Sequence, residues 1–267
     1  MKTRSYLVYA FCAVLQSCNM VDAQIVWLTT KNADFTDCDK EIRAVKPFNA
    51  ISNTVPFDVI YEQSDVQTVV VEGDEEYFDR LHTDVVKGTL EITMERGRYR
   101  NVRLRVKISS PDIESIRLAG SGDMTCITDI KTDTDFSLRV AGSGNITTQD
   151  ISCAAFNSSV SGSGDINIGD IDGTEMEIKV AGSGDFKAAG ATATEMSVSV
   201  AGSGDIRIGL VDVENMLSAN VAGSGDITIN GKAGKAKARV AGSGDIKGTV
   251  KCAEISKIKN GSGSIEW

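Results

Sequence analysis

The chain of 267 residues is 41% hydrophobic, 24% charged and only 6% aromatic, with 26 glycines, 3 prolines and a formal net charge of −9. That length fits one or two domains with a core of Ile, Val, Leu, Met and Ala, and frequent glycine with rare proline points to tight turns rather than to a Pro-rich disordered linker. The acidic balance excludes nucleic acid as an expected partner, and a single histidine, His82, excludes His-rich metal sites and most His-based catalysis.

At the N-terminus, Lys2 and Arg4 precede an apolar run from Ser5 to Leu15. The run falls short of the roughly 18 apolar residues that span a bilayer, and it fits a secretory signal peptide over residues 1–23. Two processing routes stay open. Val21-Asp22-Ala23 before Gln24 satisfies the small-residue rule for simple cleavage, whereas Leu15-Gln16-Ser17-Cys18 resembles a lipobox with Cys18 as the acylated residue. Export to the periplasm, outer membrane or cell surface follows from either route, with membrane contact only through a lipid on Cys18. Residues 24–44 read as a linker.

A single β-helix domain is expected over residues 45–267. Its first part, 45–118, carries strand-like runs at Phe57–Tyr61, Thr68–Glu72, Leu90–Met94 and Val102–Ile108. The last three alternate apolar and polar residues, the mark of a half-buried strand. They read as about three irregular coils, with a separate small β domain as the alternative.

From residue 119 an internal repeat takes over. Gly-Ser-Gly recurs at Gly120, Gly142, Gly162, Gly182, Gly202, Gly223, Gly242 and Gly261, at intervals of 22, 20, 20, 20, 21, 19 and 19 residues. Before each corner comes a period-two strand, such as Met176-x-Ile178-x-Val180, and after it a shorter one, such as Ile166-x-Ile168. A third apolar point falls near Ile130, Ile151, Ile171 and Val211. Identical turns cannot serve successive antiparallel hairpins, so the units must stack in parallel, each strand bonding its own copy about 4.8 Å along the axis. The fold expected is all-β: a parallel β-helix with coils of about 20 residues. Pro47, Pro56 and Pro111 all precede the repeat, as ladders without Pro require.

The position after Gly-Ser-Gly reads Asp123, Asn145, Asp165, Asp185, Asp205, Asp226, Asp245 and Ser264. A metal ladder needs charge at every step, whereas a corner cap needs only an oxygen acceptor for backbone N–H groups, which Asn145 and Ser264 keep. The corner is therefore read as structural, with calcium binding and catalysis as lesser readings. A second acidic set, Asp129, Asp150, Asp170 and Asp212, is where calcium would be sought first, although solvated turn residues explain it as well. No catalytic residue, resident metal or cofactor is expected. Cys126, Cys153 and Cys252 occupy ladder slots that keep them from pairing with one another, and Cys153 and Cys252 share one slot five coils apart.

The tandem AGSGD motif, preceded by FDVIYEQSDVQTVVVEGDEE and GTLEIT, resembles the head GIN domain of auto-transporter adhesins, from Phe48 to Trp267. The resemblance implies a bacterial exported protein, a right-handed parallel β-helix and an adhesin role. No C-terminal membrane barrel follows the repeat, so self-translocation is not expected. The functional expectation is a non-enzymatic envelope or surface rod that binds an extracellular glycan or protein. The alternative is a carbohydrate-active β-helix lyase or hydrolase. The regular half shows no aromatic platform, because Phe186 sits in a ladder slot. Trp27, Tyr77, Phe78 and Tyr99 make the N-terminal part the easier place for a binding edge, and His82 reads as a surface residue.

Overall fold

The computed structural model describes residues 35–99 and 101–267. The signal peptide, Cys18, Trp27 and most of the linker lie outside the described residues. From Cys38 to Trp267 the chain forms one compact unit. The one helical segment among the described residues is a 3-10 turn, Glu75–Arg80.

Each regular coil has three faces. Face I carries the longer strands that lead into the Gly-Ser-Gly corner: Phe136–Val140, Ala155–Val160, Glu175–Val180, and the later parts of Phe186–Val200, Ile206–Gly223 and Ile227–Gly242. Face II follows the corner, with Ile146 beside Ile166, Phe186, Ile206, Ile227, Ile246 and Ile265 in turn. Face III is the short return, with Ile130, Ile151, Ile171, Ala191, Val211, Gly231 and Val250 in register. Every pairing between successive coils is parallel, as the repeat requires.

Alternation places one apolar ladder behind each strand. On face I, Phe136, Phe156, Met176, Met196, Leu217 and Ala236 stack in register and are all buried. Phe136 and Phe156 lie ring over ring, 6.5 Å between centroids. Each large side chain removed from water contributes about 1.5–3 kcal/mol, so the ladders dominate the stability of the stack. The ladders fade in the last strand, Glu254–Gly261. There Ile255, Lys257 and Lys259 pair with Ala236, Ala238 and Val240, and Ile255 is 38% exposed. Lysines at inward positions put charge where a further coil would need an apolar ladder.

The first part of the unit departs from the reading of three successive coils. Its strands are β1 Asp39–Ile42, β2 Ala50–Asn53, β3 Val59–Gln63, β4 Thr68–Gly73, β5 Leu81–Val86, β6 Thr89–Met94, β7 Leu104–Ser110, β8 Ser115–Leu118 and β9 Met124–Cys126. On face I the order along the axis is β5, β6, β2, β8; on face II it is β1, β4, β7, β3, β9. The coil made by β2 and β3 thus lies between a later coil, β6 and β7, and the first regular one. Antiparallel β1, β4 and β5 close the end. The tight turn from β5 to β6 at Lys87 and Gly88 has φ of 50° and 82°, the left-handed pair that matches strand twist. So the region holds two coils and an antiparallel cap.

Within that cap Glu72 is only 2% exposed. Its carboxylate meets Lys40 at 3.2 Å, Lys107 at 3.4 Å and Arg105 at 2.6 Å. Burial alone would raise its pKa, but the three cations hold it below the usual value.

Candidate functional site

The Gly-Ser-Gly-Asp corners form one straight column, and their geometry decides what they do. A Cβ on Gly162 would lie 2.2 Å from the carbonyl oxygen of Gly142, and one on Gly164 would lie 2.0 Å from that of Gly144. Both glycines are therefore required by the close approach of the previous coil. Positive φ adds a second reason only in later coils, such as Gly242 at 151° and Gly261 at 141°.

The Asp side chain works between coils rather than within its own turn. Asp123 Oδ1 accepts the backbone N–H of Asn145 at 2.9 Å, and Asn145 Oδ1 accepts that of Asp165 at 2.9 Å. Asp165, Asp185, Asp205, Asp226 and Asp245 continue the series to Asp185, Asp205, Asp226, Asp245 and Ser264, at 2.7–3.0 Å. Asn145 serves as well as aspartate because only an acceptor is needed. The ladder begins one coil before the repeat: Asp58 Oδ1 accepts the N–H of Asp123 at 3.4 Å. Sequence reasoning missed Asp58, although Asp58-Val59-Ile60-Tyr61 has the same Asp-apolar-x-apolar signature as Asp165-Ile166-Asn167-Ile168.

The second carboxylate oxygens face solvent, where stacked like charges must be relieved. Lys187 meets Asp185 at 3.4 Å, Arg207 bridges Asp185 and Asp205, and Lys247 bridges Asp226 at 3.2 Å and Asp245 at 2.8 Å. The Lys247 ammonium and the Ser264 N–H hold the Asp245 carboxyl down at about 2, and the carboxylates of Asp245 and Asp226 raise the Lys247 pKa.

The second acidic set lines a shallow groove on face III with Asp172, Leu210 and Lys131. Asp150 Oδ1 accepts the N–H of Asp170 at 2.8 Å, the corner device again. Asp212 stands in a different column from Asp150 and Asp170: it pairs with Thr192 and Lys232, whereas Leu210 follows Asp170 and Gly190. Among the described residues no group of three or more His, Cys, Asp or Glu converges as a metal site. His82 lies on the surface with its Nε2 3.5 Å from Glu95 Oε1.

The aromatics divide by position. Phe186 is fully buried in its ladder and Phe78 is also buried. Tyr77 and Tyr99 pack edge to face, 5.9 Å apart, with Tyr99 Oη donating to the carbonyl of Glu95. Cys126, Cys153 and Cys252 are free thiols. Burial pushes Cys126 up to about 12 and Cys153 up to about 11.

Fold and corners together define a β-solenoid whose coils are closed by Gly-Ser-Gly-Asp. Over residues 47–233 the chain matches the family described as "Putative auto-transporter adhesin, head GIN domain", and it belongs to that family. Solved structures share the fold. A "putative adhesin" from Parabacteroides distasonis ATCC 8503 is 23% identical, with a TM-score of 0.75 over 86% of this chain and 96% of that one. A "putative lipid binding protein" from the same organism is 27% identical, with a TM-score of 0.74 over 86% and 96%. A "putative adhesin" from Parabacteroides merdae ATCC 43184 is 20% identical, with a TM-score of 0.74 over 86% and 95%. No curated protein matches the chain. No helix among the described residues is long and apolar enough to cross a membrane.

Proposed function

We propose that the protein is an exported, non-enzymatic binding rod of the cell envelope or surface, which attaches to an extracellular glycan or protein through its solenoid faces. The observation that carries this reading is the engagement of the corner carboxylates. Each spends one oxygen on the next coil's N–H group, and those at Asp185, Asp205, Asp226 and Asp245 share the other with a cation. General acid–base chemistry needs a carboxyl pair free to change protonation beside a substrate. The adhesin names of the family and of its structural relatives support the same reading.

A carbohydrate-active enzyme is the second reading, favoured by one feature: Asp150, Asp170, Asp172 and Asp212 share the face III groove. An array of glycans and matrix proteins, probed with and without calcium, tests attachment. A turnover assay on the bound glycans tests the enzyme. Retention without product supports the rod, and chain shortening abolished by Asp170→Asn overturns it.

A further inference from the structure

The three faces of the solenoid differ in how their charges are satisfied. Face III is acidic. On face II the cations at Lys187, Arg207 and Lys247 are each bound to corner aspartates. Face I is the exception. Its outward residues form two columns in strict register. One runs Arg117, Arg139, Ser159, Lys179, Ser199, Asn220, Arg239, and the other contains Ser137, Asn157, Glu177, Ser197, Ser218 and Lys237. Lys179 is paired with Glu177 at 2.7 Å. Arg117, Arg139, Lys237 and Arg239 are exposed, and among the described residues none has an acidic partner. The remaining acids on this face lie at or just before strand starts on the face III side, Glu114, Asp135, Glu175, Glu195 and Glu254, or beyond Ser52 at Glu91 and Asp84.

Arg117 and Arg139 are direct neighbours across one ladder step of about 4.8 Å. Like charges so placed destabilise a sheet unless an anion lies between them. Lys237 and Arg239 repeat the arrangement on one strand. Between these two cationic ends, apart from the mutually paired Lys179 and Glu177, the strip is built of Ser and Asn, side chains short enough to leave the sheet flat and able to both donate and accept hydrogen bonds. A flat, translationally repeated strip with unpaired cations fits a ligand that is itself linear, hydroxyl-rich and anionic.

We propose that face I binds a linear anionic polysaccharide laid along the solenoid axis, with its carboxylate or sulfate groups on Arg117, Arg139, Lys237 and Arg239 and its hydroxyls on the Ser and Asn strip. The inference rests on the binding reading above and names the ligand class and the face. Arginine is suited to the role because its planar fork takes a carboxylate or sulfate through two hydrogen bonds.

The test measures retention of the protein on immobilised polygalacturonate, heparin and neutral dextran. Serine occupies equivalent outward positions at Ser137, Ser159, Ser197 and Ser199, so Arg117→Ser, Arg139→Ser, Lys237→Ser and Arg239→Ser fit the same sheet. Circular dichroism checks that they do. Exposed ion pairs are each worth roughly 1.5- to 5-fold in affinity, so the fourfold variant should bind the acidic polymers at least about fivefold more weakly. Lys187→Ser with Arg207→Ser, an equal charge loss per site on face II, should change binding less than about twofold. Raising NaCl from about 0.1 M to about 1 M shortens the screening length from about 10 Å to about 3 Å and should release the wild type. Four results overturn the proposal: no retention on either acidic polymer, equal retention on dextran, equal losses from the two faces, or the same binding to DNA or phosphatidylglycerol vesicles. Retention on a matrix-protein array that the fourfold variant keeps would leave the rod reading standing and remove only this face.

Discussion

Residues 38–110 and residues 119–261 use one kind of coil and assemble it by opposite rules. In the repeat, each strand pairs with its copy about 20 residues away, and the corner hydrogen bonds span 19 to 22 residues. In the first region the chain lays down β2 and β3, leaves to build the cap, and returns to place β6 and β7 on the outer side of them. The ladder link from Asp58 to Asp123 spans 65 residues. One half is a nearest-neighbour stack, in which any coil needs only the one before it. The other is a wedge, in which β2 and β3 lie between two later segments and pair with both.

The comparison breaks most sharply at the wedge. Tyr61 is fully buried in β3, with its hydroxyl 3.0 Å from Ser110 Oγ. Tyr61→Ala should cost about 3–5 kcal/mol, the range for deleting a buried aromatic ring. Chemical denaturation with hydrogen exchange should show β6 and β7 losing protection together with β3. The same readout on Ala236→Gly, in the tapering end of the repeat, should report a smaller and local loss.

Inside the repeat, glycines can be ranked by what stands above them. A Cβ on Gly204 would meet Gly184 O at 2.0 Å, whereas one on Gly173 has Cys153 O at 3.1 Å as its nearest neighbour. Gly204→Ala should reach or exceed the top of the about 1–3 kcal/mol range for overpacking. Gly173→Ala should stay under about 1 kcal/mol. Equal midpoints in urea for the two variants would contradict the close-approach account of the corners.

The corner aspartates come next. Asp185→Ala removes the acceptor for the Asp205 N–H and should cost about 1–3 kcal/mol. Asp185→Asn should retain most of that stability, since Asn145 already fills the role.

A pH titration sharpens the same point at Asp245. Its folded carboxyl lies at about 2, below the usual aspartate value of about 3.9, so the contact contributes fully above about pH 4 and is lost as pH falls toward 2. Carbon-13 NMR of Asp245 in Lys247→Ala should show the midpoint moving up.

The smallest effect is a labelling rate. With thiols pushed up to about 12 and about 11, Cys126 and Cys153 should resist alkylation at neutral pH, while the half-buried Cys252 reacts first. Mass spectrometry of partly labelled protein reads the order.

What was legible in the sequence follows from the same contrast. The repeat prints its own register: strand pattern, ladder slots, corners and the parallel stack all follow from residues within one period. The order of β2, β3, β6 and β7 does not, because the alternation of Leu90-x-Ile92 or Val59-x-Tyr61 is the same whichever coil lies beneath it. Only non-local packing selects it. Asp212 was separable by counting: Asp150 and Asp170 lie eight residues after Gly142 and Gly162, whereas Asp212 lies ten after Gly202, so Leu210 continues their column. The charge state of face I was overlooked because its cations are scattered singly in sequence and become a column only when the coils stack.

The corner ladder has a consequence for how such a chain changes over generations. Every regular coil presents an acceptor on one side and a backbone donor on the other, both within the same stretch of about 20 residues. A unit that carries its own plug and socket needs no redesign when the DNA encoding it is copied in tandem or lost by recombination. Rod length is thereby an inheritable dimension open to adjustment one coil at a time, while the wedge and cap, which have no second copy of themselves, are fixed.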